Sequence, residues 1–207
     1  MRLVVDASRP DPAALETAAR VLQGGGLVAF PTETFYGLGA RALDAAAVAR
    51  IFQAKGRPAD KPLLVLVDSL AMVDRVAGEV PARARRLMER YWPGALTLVL
   101  HAHADLPTAL TAGTGTIGVR LSSHPIARAV VAALGEPVTA PSANPHGASG
   151  PRTADEVIAG LGNRVELVLD GGPTPGGPAS TVLDLTRRPA VVLRAGSVVP
   201  TPEDLEG

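Results

Sequence analysis

The sequence contains no cysteine. That excludes disulfides, thiolate zinc sites, iron–sulfur clusters and a cysteine nucleophile. Aromatic residues are scarce, at 3%, so a core must be built mainly from Val, Leu and Ala. Net charge is missing too: 20 Lys and Arg balance 20 Asp and Glu. That balance disfavours a protein that coats nucleic acid or a membrane by bulk charge, and leaves room for a local basic pocket. No apolar run approaches the roughly 20 residues that span a bilayer. The opening MRLVVDASRP carries no long apolar segment and no cleavage site, and the expectation is a soluble cytoplasmic protein without membrane contact. Lysine is nearly absent as well. Only Lys55 and Lys61 occur, six residues apart in KGRPADK, and every other basic residue is Arg. Either this is coincidence, or a compact ammonium is wanted there that a guanidinium cannot replace.

What is present suits a folded domain. The chain has 207 residues, 46% apolar and 19% charged, enough to bury one core. Helical and strand-like stretches alternate, which predicts an α/β class. Asp11-Pro12 reads as a helix cap before an amphipathic stretch over 13–22. Further helices are predicted over 44–54 with Gly56 as the stop, over 81–91, over 125–134 closed by Gly135, and from the capping box Thr153–Glu156 to Leu161. Strands are predicted over 27–30, 63–67, 96–100, 116–121, 166–170, 180–185 and 190–194. The expected organisation is one domain over 1–200 and a short polar tail over 201–207.

Several catalytic signatures do not occur: no phosphate-binding GxxxxGK[ST] loop, no HExxH and no GxSxG. The GTGTIG run of 113–118 fits GxGxxG in letters, but no strand precedes it and its last glycine falls inside a strand, so it reads as accidental. His101, His103 and Asp105 alternate along a strand end, where an exposed end is the simpler reading than a metal site. Polar residues gather where strands end, which is where α/β sheets collect ligands. PTETFYGLG (31–39) offers Thr32 and Thr34 hydroxyls, though a capped turn is the plain alternative. Lys55, Arg57 and Lys61 form an oxyanion clamp or a solvated basic loop. TAPSAN (139–144) places small hydroxyl and amide groups after a strand, and GPAST (177–181) with Arg194 could close a pocket wall. Together they suit chemistry by positioning and charge stabilisation, as in phosphoryl or nucleotidyl transfer.

PTETFYGLG, KGRPADKPLLVLV, WPGALTLVL, TIGVRLSSHP, APSAN, GGPASTVLDL and LRAG occur in this order between residues 31 and 196. In them the chain resembles the YrdC/TsaC family of threonylcarbamoyl-AMP synthases, single-domain type. The resemblance implies a twisted open mixed sheet flanked by helices around a basic central cavity. It implies formation of L-threonylcarbamoyladenylate and pyrophosphate from L-threonine, bicarbonate or CO2, and ATP with Mg2+. It implies that the product would serve a threonylcarbamoyl-transferase complex that modifies adenosine 37 of tRNAs reading ANN codons. By matching motif, the catalytic tetrad would be Lys55, Arg57, Ser142 and Asn144. Threonine would meet Thr34, Arg120, Ala140 and Ser180. ATP would meet Arg57, Lys61, Thr116, Ser142 and Arg194, and no protein side chain would hold the metal. Leu66 stands where many members carry His, and Gly150 lies where they often read a side chain that contacts ATP, leaving Ser149 or backbone for that contact. A carbamoyl-adenylate-forming enzyme, or a non-catalytic member that binds tRNA or double-stranded RNA, is the alternative.

Overall fold

A computed structural model describes residues 1–206. The chain runs β1 (Arg2–Val4), α1 (Pro12–Gln23), β2 (Val28–Pro31), β3 (Tyr36–Gly39), α2 (Ala45–Lys55), β4 (Leu64–Leu66), α3 (Leu70–Val73), α4 (Ala82–Tyr91) and β5 (Leu96–His101). It continues through α5 (Thr108–Thr111), β6 (Thr116–Arg120), α6 (Pro125–Leu134), β7 (Val138–Thr139), α7 (Ala154–Leu161), β8 (Leu167–Asp170), β9 (Thr181–Asp184), β10 (Val191–Arg194) and α8 (Pro202–Glu206).

Helix ends follow local chemistry. The Asp11 carboxylate accepts the Ala13 amide at 3.2 Å ahead of Pro12. Asp44 accepts the amides of Ala46 and Ala47, and Gly56 closes α2 in the left-handed region at φ 60°, where a side chain would be strained. Thr153 caps α7 by accepting the Glu156 amide at 3.2 Å. The return half of that capping box is displaced by one residue, because Glu156 accepts the Arg152 amide instead.

The strands form a mixed α/β arrangement flanked by helices, divided between two sheets rather than gathered in one. One sheet has the order β1-β8-β2-β3 and the other β10-β9-β5-β6-β4-β7. Parallel pairs (β1/β8, β2/β8, β4/β6, β5/β9) are mixed with antiparallel ones (β2/β3, β4/β7, β5/β6, β9/β10). The division falls at β7, where Pro137 and Pro141 bracket the strand and can donate no ladder hydrogen bonds. The chain instead stitches the sheets with single bonds: Leu38 N–H to Pro141 O at 2.7 Å, Thr139 N–H to Ala40 O at 3.0 Å, and Ala143 N–H to Tyr36 O at 2.8 Å.

β2 is buried along its whole length, and Leu22, Phe30, Tyr36, Leu38, Leu66, Leu98 and Ile117 are among the fully buried side chains. α1 packs on α6 over the four-stranded sheet. Residues 202–206 of the segment expected as a tail form α8. Its Asp204 is buried and accepts from Tyr91 Oη at 2.6 Å and Arg90 Nη1 at 3.2 Å; Gly207 lies outside the described residues. No helix among the described residues is long and apolar enough to cross a membrane.

Candidate functional site

A cavity of about 450 Å³ opens where the two sheets meet. Its floor comes from β6. Thr116, Gly118 and Arg120 all line it, as the alternation of a strand requires. Gly118 keeps this face open: a Cβ there would stand 3.3 Å from Thr97 Cγ2, a tight contact.

The turn between β2 and β3 supplies Thr32 and Thr34. Both are buried, with their hydroxyl oxygens 3.2 Å apart. Thr32 Oγ1 donates to Phe35 O at 2.7 Å and accepts the Thr34 amide at 3.2 Å, which fixes the turn. The opposite wall is built by Ala140, Pro141 and Ser142 after β7 and by Ser180 and Arg194. Arg194 Nη2 donates to Ser180 Oγ at 2.9 Å, and Ser180 shares a second contact with Thr97 Oγ1 at 3.0 Å. Arg57 closes the KGRPADK loop on itself by donating to Lys61 O and Pro62 O, and also reaches the cavity.

Eight of the eleven residues carried over by motif therefore line one cavity: Thr34, Arg57, Thr116, Arg120, Ala140, Ser142, Ser180 and Arg194. Lys55, Lys61 and Asn144 are not among its lining residues. The Lys55 ammonium is buried and donates to the backbone carbonyls of Ser142 and, at 2.6 Å, of Asn144. Burial, and secondarily Arg57, push its pKa down to about 8. Asn144 turns its amide inward, donating to Pro145 O and Ala148 O at 2.8 Å each. Lys55 and Asn144 thus shape the 142–148 loop behind the cavity wall. Lys61 is exposed, with its ammonium 3.3 Å from His146 Nε2.

Electrostatically the cavity is demanding. Burial holds Arg57, Arg120 and Arg194 each below the ordinary arginine value; Glu33 partly opposes this at Arg120, and Arg194 adds to it. A guanidinium keeps its proton regardless, so these groups answer burial by seeking anions. The strand-end carboxylates Asp170 and Asp184 pair with Arg2 and Arg187, not with Arg120. The partner of Arg120 is Glu33, with Nη1 2.9 Å from Oε1, while Nε finds no acceptor among the described residues. Glu33 escaped the reading of the sequence, although an acid inside PTET right after a buried strand was a signal.

Other readings resolve locally. Gly113 and Gly115 form a turn with positive φ ahead of β6, which is no dinucleotide-binding turn because no helix follows it. His103 and Asp105 meet at 3.6 Å beyond the end of β5, and among the described residues no three His, Cys, Asp or Glu side chains are placed to hold a metal. His124 caps α6, its Nδ1 accepting the Ile126 amide at 3.3 Å. Leu66 is a fully buried core residue paired across the sheet with Arg120. Gly150 lines the cavity against the Phe35 ring, where a Cβ would come within 2.8 Å of it.

A family model described as "Telomere recombination", covering the Sua5, YciO and YrdC proteins, matches residues 20–196. The chain belongs to the Sua5/YciO/YrdC family. It is 46% identical over 184 residues to the threonylcarbamoyl-AMP synthase of Pyrococcus abyssi, covering 89% of this chain and 54% of that protein. It is 43% identical over 200 residues to the threonylcarbamoyl-AMP synthase of Bacillus subtilis, covering 96% and 57%. The crystal structure of P. abyssi Sua5 complexed with L-threonine superposes with a TM-score of 0.92 at 44% identity, over 95% of this chain and 57% of that one. The chain spans a little over half the length of these relatives. The cavity brings together Arg57, the buried Arg120 and Arg194 with the hydroxyls of Thr32, Thr34, Thr97, Thr116, Ser142 and Ser180.

Proposed function

We propose that this chain is a threonylcarbamoyl-AMP synthase that forms L-threonylcarbamoyladenylate and pyrophosphate from L-threonine, bicarbonate or CO2, and ATP. The observation that carries the reading is Arg120: a buried guanidinium on the cavity floor, its Nε without an acceptor among the described residues, in a cavity also lined by the hydroxyls of Thr34 and Ser180. That group suits a carboxylate with small polar neighbours, as an amino acid presents. The threonine-bound relative and the names of the similar proteins support it.

The chemistry follows in two steps. The neutral amine of threonine attacks CO2, a C–N bond forms, and the amine proton leaves to solvent, giving a carbamate. A carbamate oxygen then attacks the α-phosphorus of ATP in line, and the bond to the β-phosphate oxygen breaks, releasing pyrophosphate. Arg120 holds the substrate carboxylate, with Thr34, Ala140 and Ser180 around the amino acid. Arg57 and Arg194, with Lys61 at the loop, Thr116 and Ser142, take the nucleotide and its developing charge. Oriented donors of this kind lower the barrier by about 3–4 kcal/mol each in comparable sites. Lys55 and Asn144 serve by holding the 142–148 loop. Mg2+ enters as part of the MgATP substrate: among the described lining residues there is no Asp or Glu to keep it resident. The product passes to a threonylcarbamoyl-transferase complex acting on adenosine 37 of tRNAs that read ANN codons, in the cytoplasm.

The deciding assay is pyrophosphate release from ATP and bicarbonate. Release should require L-threonine. Equal release without it, or release driven by carbamoyl phosphate instead, would overturn the reading; RNA binding with no ATP consumption would point to a non-catalytic member.

A further inference from the structure

The PTET turn carries an acid with no task in the reaction above. Glu33 lies between β2 and β3, in the four-stranded sheet, yet its carboxylate reaches the end of β6 in the six-stranded one. There Oε1 faces Arg120 Nη1 at 2.9 Å, and Oε2 accepts from Ser122 Oγ. Ser122 is itself held, accepting the His124 amide at 3.1 Å. Arg120 and Ser122 are two positions apart on extended chain, which presents both to the same side. The carboxylate is thus held at Oε2 by a hydrogen bond and at Oε1 by an ion pair.

The contact with Arg120 is close without being aligned as a hydrogen bond. Among the described residues Glu33 Oε1 has no hydrogen-bond donor and Arg120 Nε no acceptor. A buried donor left open in this way calls for a partner. Arg194 stands near enough to disfavour the charge on Arg120. One carboxylate beside two guanidiniums leaves one unmatched positive charge, the complement of one ligand carboxylate.

We propose that Glu33, clamped by Ser122, is a positioning residue that fixes the guanidinium plane of Arg120 so that its remaining edge meets the carboxylate of the amino-acid substrate. This rests on the function proposed above. Two roles for Glu33 give opposite expectations. A carboxylate that only neutralised Arg120 would compete with substrate, and removing its charge would tighten substrate binding. A carboxylate that orients Arg120 would, when lost, let the fork rotate and spoil its planar match.

Calorimetric titration of wild type, Glu33→Gln and Ser122→Ala separates these roles. Glu33→Gln should weaken L-threonine binding about tenfold and Ser122→Ala about threefold, the scale of one well-placed hydrogen bond to a charged group. ATP affinity should stay within about twofold, and L-threoninol, which lacks the carboxylate, should bind wild type and Glu33→Gln alike. Unchanged or tighter threonine binding in the variants overturns the proposal, as does equal loss of both ligands. Should Glu33→Gln fail to fold, Ser122→Ala carries the same test with Glu33 in place. If the wild type shows no threonine-dependent pyrophosphate release, the proposed function falls and acetate becomes the probe. Acetate should then still move the Arg120 15Nε resonance in wild type and move it less in the variants. No movement in wild type overturns the positioning role as well.

Discussion

Lys55 offers the sharpest test of how the cavity wall is held. Its ammonium is 3% exposed and donates to two backbone carbonyls on the 142–144 segment, while its own carbonyl accepts the His146 amide at 2.7 Å. Its pKa lies at about 8 against an ordinary 10.5, lowered by burial first and by Arg57 second. The sign of the linkage is then fixed. Below pH 8 both the folded and unfolded chains carry the proton, and the folded state bears the cost of the buried charge. Between about 8 and 10.5 the folded chain sheds the proton while the unfolded chain keeps it, so stability gained from this residue rises with pH. The difference between the two values amounts to about 3 kcal/mol in total, at no more than about 1.4 kcal/mol per pH unit. The perturbation is Lys55→Met, which keeps the stem and removes the titration. Urea unfolding of both proteins at pH 7, 8.5 and 10 gives the difference in stability, in which tyrosines and other titrating groups cancel. Wild type should gain on the variant as pH rises through that window. A difference that stays flat, or that shrinks, would refute a buried ammonium at this position. The companion variant Lys55→Arg keeps the charge but forces a broad planar group into the slot, which should cost about 1–3 kcal/mol by overpacking and lower turnover by displacing Ser142.

Arg120→Lys keeps the charge and loses the fork, and should weaken L-threonine binding by about 1–3 kcal/mol while leaving ATP affinity and the fold in place, as calorimetry would show. Gly39→Ala would set a Cβ 2.7 Å from Phe30 Cε1 and 2.9 Å from Val138 Cγ1; it should destabilise by about 1–3 kcal/mol, read as a lowered urea midpoint with an unchanged slope. Asp204→Ala should release α8 and lower the thermal midpoint. Burial works against the Asp204 charge, yet hydrogen bonds from Tyr91 and Thr201, with Arg90 nearby, hold its carboxyl below the usual range. Its contribution to stability is therefore present at neutral pH and lost as pH falls through that lowered value, and the variant should lose this acid dependence.

Which parts of this protein its sequence determines follows from the range of the signals. Asp11, Asp44 and Thr153 accept amides two or three residues ahead, and Gly56 and Gly135 end helices by their own backbone conformation. Each is decided within one helical turn, so these ends were legible in the sequence. The shared face of Thr116, Gly118 and Arg120 was legible for the same reason, since alternation needs no tertiary information. The seven ordered motifs marked the family and brought together most of the cavity's lining. The rest needed the fold. β1, β3 and β7 are two to four residues long, too short for any period to declare itself, and the sheets divide because two prolines flank β7. Lys55 looked like a phosphate ligand by its charge, but its ammonium turns to the carbonyls of a loop 87 and 89 positions away. Glu33 meets Ser122 across 89 positions and Arg120 beside it. A charge in a sequence states only that a partner is needed. Which partner it finds is decided when burial removes water and the packing of two sheets leaves one group within reach.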